Sequence, residues 1–150
     1  SRPNLFALYG LAGKLEEALL KRVWLKSGGY LVIEPTEALT VIDVNTGKYD
    51  GSKNVEETFA LINREAAQET ARQIRLRNLS GIILIDFIKQ KDRQAAKDLW
   101  EELRSLCKED PVPVRVVDIT ALGLVELTRK KVKGTLAEQL KGLKPTGVQR

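Results

Sequence analysis

The sequence predicts an α/β protein: a layered mixed sheet with flanking helices, one compact domain preceded by an N-terminal helical segment. Three observations predict it. Ile82 to Ile88 is apolar at every position except Asp86, as expected of a central strand covered on both faces. Asn54 to Arg77 repeats apolar side chains at helical spacing. Tyr30 to Glu34 and Leu39 to Asn45 are β-rich runs separated by Pro35-Thr36-Glu37, the pattern of a hairpin.

The elements follow in chain order. Leu11 to Lys26 reads as a helix, because Leu15, Ala18, Leu19 and Val23 recur on one side and Gly28-Gly29 stops it. After the hairpin, Thr46 to Lys53 is a polar loop containing glycine. Asn54 is placed to cap the long helix, with Glu57 in the capping-box position. Its buried stripe is Val55, Phe59, Ile62, Ala66 or Ala67, Ala71 and Ile74, and Asn78 to Gly81 ends it. Asp92 opens a second helix that buries Leu99, Trp100, Leu103 and Leu106 and ends near Asp110-Pro111. Val114 to Ile119 and Leu124 to Thr128 read as strands joined by a bend at Leu122-Gly123. A short helix is expected around Leu136 to Leu140. The chain divides into an N-terminal helical segment over 1–29, a core over 30–133 and a basic tail over 134–150.

Composition narrows the chemistry. Of 150 residues, 43% are hydrophobic and 30% charged, the balance of a chain that folds around a core. No apolar run is long enough to span a membrane. The single cysteine, Cys107, permits no internal disulfide and suits a reducing compartment, so a cytoplasmic location is expected. A net charge of +5 permits a polyanionic partner without requiring one. The chain has no histidine, which removes imidazole acid–base catalysis and histidine-ligated metal sites.

Two acidic residues stand out. Asp43 lies between Val41-Ile42 and Val44, and Asp86 between Ile82-Ile83-Leu84-Ile85 and Phe87-Ile88. A carboxylate among core residues must be paired, hydrogen-bonded, protonated or bound to a metal. Strand alternation puts Asn45 on the same face as Asp43, where it offers an oxygen ligand or a donor that orients the carboxylate. If the two strands are neighbours, Asp43, Asn45 and Asp86 converge at one edge, where α/β proteins bind ligands. Hard oxygen donors of this kind suit magnesium and not zinc. A purely structural duty, capping a turn or pairing with Arg or Lys, fits each aspartate equally well.

At these residues the chain resembles a known family. Lys26-Ser27-Gly28-Gly29-Tyr30, Thr36-Glu37-Ala38-Leu39, Ile42-Asp43-Val44-Asn45-Thr46-Gly47 and Ala71-Arg72-Gln73-Ile74-Arg75-Leu76-Arg77 are similar to segments of the ribonuclease E/G family. So are Gly81-Ile82-Ile83, Ile85-Asp86-Phe87-Ile88, Leu122-Gly123-Leu124-Val125-Glu126 and Thr128-Arg129-Lys130, in the family's order and spacing over residues 5 to 133. The resemblance implies the family's deoxyribonuclease-I-like catalytic subdomain, an endoribonuclease that cuts single-stranded RNA with magnesium, or manganese in its place, and leaves a 5′-phosphate. It implies metal ligation by Asp43 and Asp86 and hydrogen-bonding support from Asn45. Complete members carry an S1-type RNA-binding domain and a 5′-end sensor ahead of this region. The chain therefore looks like an excised piece or a reduced relative, with low activity expected in isolation.

Two departures matter. Lys89 stands where the family commonly has an acidic residue. The tail from Lys133 lacks the cysteine pair that many members carry, so structural zinc and a zinc-linked dimer are not expected, although other self-association stays open.

Basic residues form two candidate RNA-contacting groups. One comprises Arg64, Arg72, Arg75 and Arg77; the other comprises Arg129, Lys130, Lys131 and Lys133. Of these, Arg72, Arg75, Arg77, Arg129 and Lys130 are the expected contacts. A charged face paired with Glu65, Glu69 and Glu126 is the competing explanation. Aromatic residues are only 5% of the chain, which argues against a large base-stacking platform. Trp24 and Trp100 are expected in the core, Cys107 as a buried filler, and Tyr49 near substrate at most. The competing function is a non-catalytic RNA-binding or scaffolding module.

Overall fold

The computed structural model describes residue 13 and residues 20–47, 54–120, 122–132, 134–136 and 138–139. Six strands form one mixed sheet: β1 (Arg22–Trp24), β2 (Tyr30–Pro35), β3 (Leu39–Asn45), β4 (Gly81–Asp86), β5 (Val114–Ile119) and β6 (Val125–Arg129). Two helices fully within the described residues accompany it, α1 (Val55–Arg77) and α2 (Arg93–Lys108). The strand order is β1-β2-β3-β4-β6-β5. Only β3 and β4 run parallel; every other neighbouring pair is antiparallel. That parallel pair needs a crossover, and α1 supplies it.

The expected hairpin is present. Thr36 closes its turn: its backbone N–H and its hydroxyl both donate to the Leu39 carbonyl, at 2.8 and 2.7 Å. The Leu39 N–H returns to the Thr36 hydroxyl at 3.1 Å.

Helix α1 ends as the sequence indicates. Asn78 takes the left-handed conformation at φ 51°, and the Leu79 N–H reaches back to the Ile74 carbonyl at 3.0 Å. Asn tolerates this conformation better than most residues, and Leu79 buries itself beneath the turn. The start of α1 differs from expectation. Asn54 makes no side-chain capping bond, and only its carbonyl engages, accepting from Thr58 N–H at 3.0 Å. Glu56 and Glu57 still complement the positive end of the helix. Asp92 does cap α2, accepting from Gln94 N–H at 2.9 Å.

Both helices pack on the same side of the sheet. Ile62, Ala66 and Ile74 of α1 and Leu103 and Cys107 of α2 share one core with Leu31, Ile33, Ile42, Ile83, Ile85 and Leu127. The expectation that Ile82 to Ile88 is covered on both faces is therefore corrected. Ile83, Ile85 and Phe87 are buried, whereas Ile82 is 39% exposed and Leu84 and Asp86 are half-buried. With both described helices on one side, the other face of β4 has no helix above it among the described residues.

The helix expected over Leu11 to Lys26 does not reach its expected end. Arg22–Trp24 is β1, paired antiparallel with β2. Val23 fits a helical stripe, but it equally fits alternation in which Arg22 and Trp24 point outward. The Gly28-Gly29 turn then returns the chain as a hairpin, with Gly28 at φ +93°. Residues 22–29 thus belong to the sheet layer, and the earlier part of the expected helix lies outside the described residues apart from residue 13. Trp24 is correspondingly 63% exposed and not a core residue, whereas Trp100 does pack against the core. The loop over 48–53, with Tyr49, lies outside the described residues. In the tail, Leu136, Glu138 and Gln139 are helical.

Candidate active site

The crossover through α1 makes β3 and β4 parallel neighbours, and their register sets Asp43 directly beside Asp86. On β3 the core side takes Thr40, Ile42 and Val44, so alternation puts Asp43 and Asn45 on the open face. On β4 the core side takes Ile83 and Ile85, which puts Asp86 on that same open face. Both aspartates are half-buried, at the carboxyl ends of parallel strands. The Asn45 side-chain amide donates to Asp43 Oδ2 at 3.3 Å. That bond fixes one oxygen of Asp43 and leaves the Asn45 side-chain oxygen Oδ1 without a hydrogen bond among the described residues.

Neighbouring elements hold this corner. Adding a Cβ to Gly29 would bring it 2.8 Å from the Asn45 carbonyl oxygen, and adding one to Gly47 would bring it 2.1 Å from the Gly28 carbonyl oxygen. Only glycine lets the β1–β2 turn press this closely on the end of β3; Gly47 also has φ +67°. The exit of β4 is held from below. Asn63 of α1 is buried; its amide donates to the Ile88 carbonyl at 2.8 Å, and its oxygen accepts from the Ile88 N–H at 2.9 Å. An asparagine thus takes the place of a neighbouring strand two residues beyond Asp86.

Two carboxylates on adjacent strands repel each other, as like charges facing across a ladder do. A cation between them removes that cost. The donor set fits magnesium, which is held by one or two carboxylates and completes its shell with water and substrate phosphate. Among the described residues no cluster of three or more His, Cys, Asp or Glu side chains is placed to hold a metal. Asp43 and Asp86 would be the protein ligands, with Asn45 orienting the first.

The basic residues lie elsewhere. Arg72 and Arg75 are exposed on α1, on the helical side of the sheet, and Arg72 pairs with Glu69 at 2.7 Å. Arg64 lies 3.8 Å from Glu102. Arg77 is buried, donating to Gln73 Oε1 at 2.8 Å and to the Leu20 carbonyl. Burial lowers its pKa from the usual arginine value, and Glu69 opposes that shift. Arg129 is buried too. It pairs with Asp110 and donates to Asn78 Oδ1 at 2.7 Å and the Leu79 carbonyl at 3.0 Å. Lys130 is exposed at the far end of the sheet, since Arg129 registers with Gly81 at the start of β4. The structure brings Asp43, Asn45 and Asp86 together and leaves all six of these cations apart from them.

Sequence reasoning missed three residues near the pair. Arg22, Trp24 and Tyr30 share the open face, and the misread helix concealed Arg22 and Trp24. The alternation of Arg22, Val23 and Trp24 was the signal that could have exposed them.

Known proteins are similar to the chain over most of its length. The ribonuclease E/G family model matches residues 1–132, and the chain belongs to that family. It is 41% identical to ribonuclease G of Escherichia coli strain K12 over 145 residues, covering 97% of this chain and 30% of that protein. It is 47% identical to ribonuclease G of Haemophilus influenzae over 139 residues, covering 91% and 28%. It is 48% identical to ribonuclease E of Synechocystis over 124 residues, covering 83% and 18%. The chain thus spans less than a third of the length of these relatives.

Proposed function

We propose that the chain is the catalytic subdomain of a magnesium-dependent endoribonuclease, hydrolysing phosphodiester bonds of single-stranded RNA in RNA processing and decay. The observation that carries this reading is the register of Asp43 beside Asp86 on parallel strands, on a face with no helix above it among the described residues. Family membership supports it, since the similar proteins are named ribonucleases. A cytoplasmic location belongs to the same reading.

The chain's own residues divide the work. Asp43 and Asp86 would hold a magnesium ion, with manganese as a substitute. The bound cation supplies a polarised phosphate oxygen and a more acidic water. Asn45 restrains Asp43 by its amide donor, so the carboxylate does not reorganise when substrate arrives. Asn63 fixes the backbone beyond Asp86 from the buried side. Arg75 and Lys130, both exposed, are available to RNA phosphates at a distance from the cleavage point, and Arg72 would have to leave Glu69 to join them. Arg77 and Arg129 already spend their donors inside the fold.

A single-stranded RNA oligonucleotide tests the reading, incubated with the chain across a magnesium titration. Asp43→Asn and Asp86→Asn should each lower cleavage by on the order of 100-fold or more, the scale of a lost electrostatic group at a reacting phosphate. Calorimetry should show weaker magnesium binding in both variants. Wild-type turnover by either variant would sink the proposal. RNA binding without metal-dependent cleavage would make the chain a non-catalytic RNA module.

A further inference from the structure

We propose that Arg22, Trp24 and Tyr30 form a nucleotide-binding subsite for single-stranded RNA beside the acidic pair. This rests on the ribonuclease reading above and extends the same face. The residues lie on the outermost strand pair. Trp24 registers with Tyr30, and Tyr30 registers with Asn45. Arg22 registers with Val32, Val32 with Asp43, and Asp43 with Asp86. Two rows of side chains therefore cross the open face from the aromatic edge to the acidic pair. At about 4.8 Å per strand, the Arg22 backbone stands about 10 Å from that of Asp43 and about 14 Å from that of Asp86.

The three side chains form one cluster. The Trp24 and Tyr30 ring centroids are 5.1 Å apart and tilted by 56°. The Arg22 guanidinium carbon lies 4.3 Å from the Tyr30 centroid and 5.7 Å from that of Trp24. A guanidinium over an aromatic ring is held by cation–π attraction, which uses none of its N–H donors and leaves them for a phosphate. Neighbouring Lys21 is paired with Glu34 at 2.6 Å, but Arg22 has no ion pair among the described residues. Trp24 is 63% exposed, so folding alone gains little from it.

A large exposed ring, a guanidinium free to pair and continuity with a phosphate-handling site together match the chemistry of an unpaired nucleotide. Its base has a π-face for Trp24 and its phosphate a charge for Arg22. The chain is net positive by 5, which favours the same occupant. The cluster stands one strand beyond the Asp43 neighbour, so it would grip RNA next to the bond being cut rather than at it.

Because the chain has two tryptophans, a Trp100→Phe background leaves Trp24 as the only reporter. A single-stranded RNA oligonucleotide is titrated in the presence of a chelator, which prevents cleavage, and Trp24 emission should be quenched saturably. By anisotropy of labelled RNA in the otherwise native chain, Trp24→Ala should weaken binding about 5- to 100-fold, the size of one lost base-stacking contact. Arg22→Gln should weaken it and flatten its salt dependence, while Trp24→Phe should retain most of the affinity. Unchanged emission, absence of RNA binding, or wild-type affinity in Trp24→Ala would overturn the subsite. So would a Trp24→Ala variant that keeps its RNA affinity and loses self-association in sedimentation, since the face would then contact protein. The two readings fail separately. Cleavage by Asp86→Asn removes the metal pair and leaves the quenching, whereas loss of quenching alone removes the subsite.

Discussion

Cys107 shows how burial decides the chemistry of a single side chain. It is 5% exposed and packs in the core with Leu103. Burial raises the thiol pKa from 9.0 to about 11; Asp110 adds to the shift and Arg75 opposes it. A raised folded-state pKa means that the folded protein holds this proton more tightly than the unfolded chain does. The resulting stability is complete below pH 9, where both states carry the proton, and is lost as pH rises through 11. The difference corresponds to on the order of 3 kcal/mol. Urea midpoints measured from pH 8 to 11 should therefore fall more steeply for the native chain than for Cys107→Ala. Parallel curves would show that the thiol does not titrate with unfolding. A thiol held this way is also a poor nucleophile at neutral pH, consistent with its expected role as core filler.

Between elements, one arginine joins three parts of the fold. Arg129 closes β6, Asp110 follows α2, and Asn78-Leu79 follows α1. Arg129 donates to both Asp110 carboxylate oxygens, at 2.9 and 3.3 Å, with both side chains 3% exposed. Removing one partner strands the other charge in the interior, which costs about 3–5 kcal/mol. Asp110→Ala should therefore lower the unfolding free energy by about that amount, measured by denaturant titration. Arg129→Lys should also destabilise, because an ammonium cannot reproduce the forked contact. Little change in either variant would mean that the pair stays hydrated. This arginine also marks the limit of what the sequence discloses. It sits in a basic run, where an arginine committed to a buried carboxylate 19 residues away looks the same as one facing solvent. Periodicity revealed α1, α2, the β2–β3 hairpin and the last two strands, because each repeats its pattern over several residues. It failed at β1, where three residues could not outweigh a helical pattern running into them. Alternation placed Asp43 with Asn45, but only the crossover through α1 determines that Asp86 stands beside them.

At the scale of the whole molecule, the sheet has two unlike faces. One is buried beneath both described helices. The other carries the acidic pair, the aromatic cluster and half-exposed apolar residues such as Ile82 and Leu84. The acidic pair is therefore linked to folding. Without a cation, the carboxylates side by side oppose the pairing of β3 with β4, the central junction of the sheet. Neutralising one should slightly stabilise the metal-free protein, because like charges facing across strands are destabilising. A cation that binds only the folded arrangement stabilises by mass action, by about 2.7 kcal/mol at a concentration 100 times its dissociation constant. The two effects have opposite signs in the same variant. In chelator, Asp86→Asn should melt slightly above the native chain. In millimolar magnesium the order should reverse, because only the native chain gains from the ion. Thermal melts in both conditions, with sodium chloride matched for ionic strength, measure the crossover. Equal shifts in the two proteins would mean that magnesium acts on the surface at large and not between Asp43 and Asp86. This measurement needs no substrate or turnover, so it tests the metal pair even if the isolated chain cuts RNA slowly.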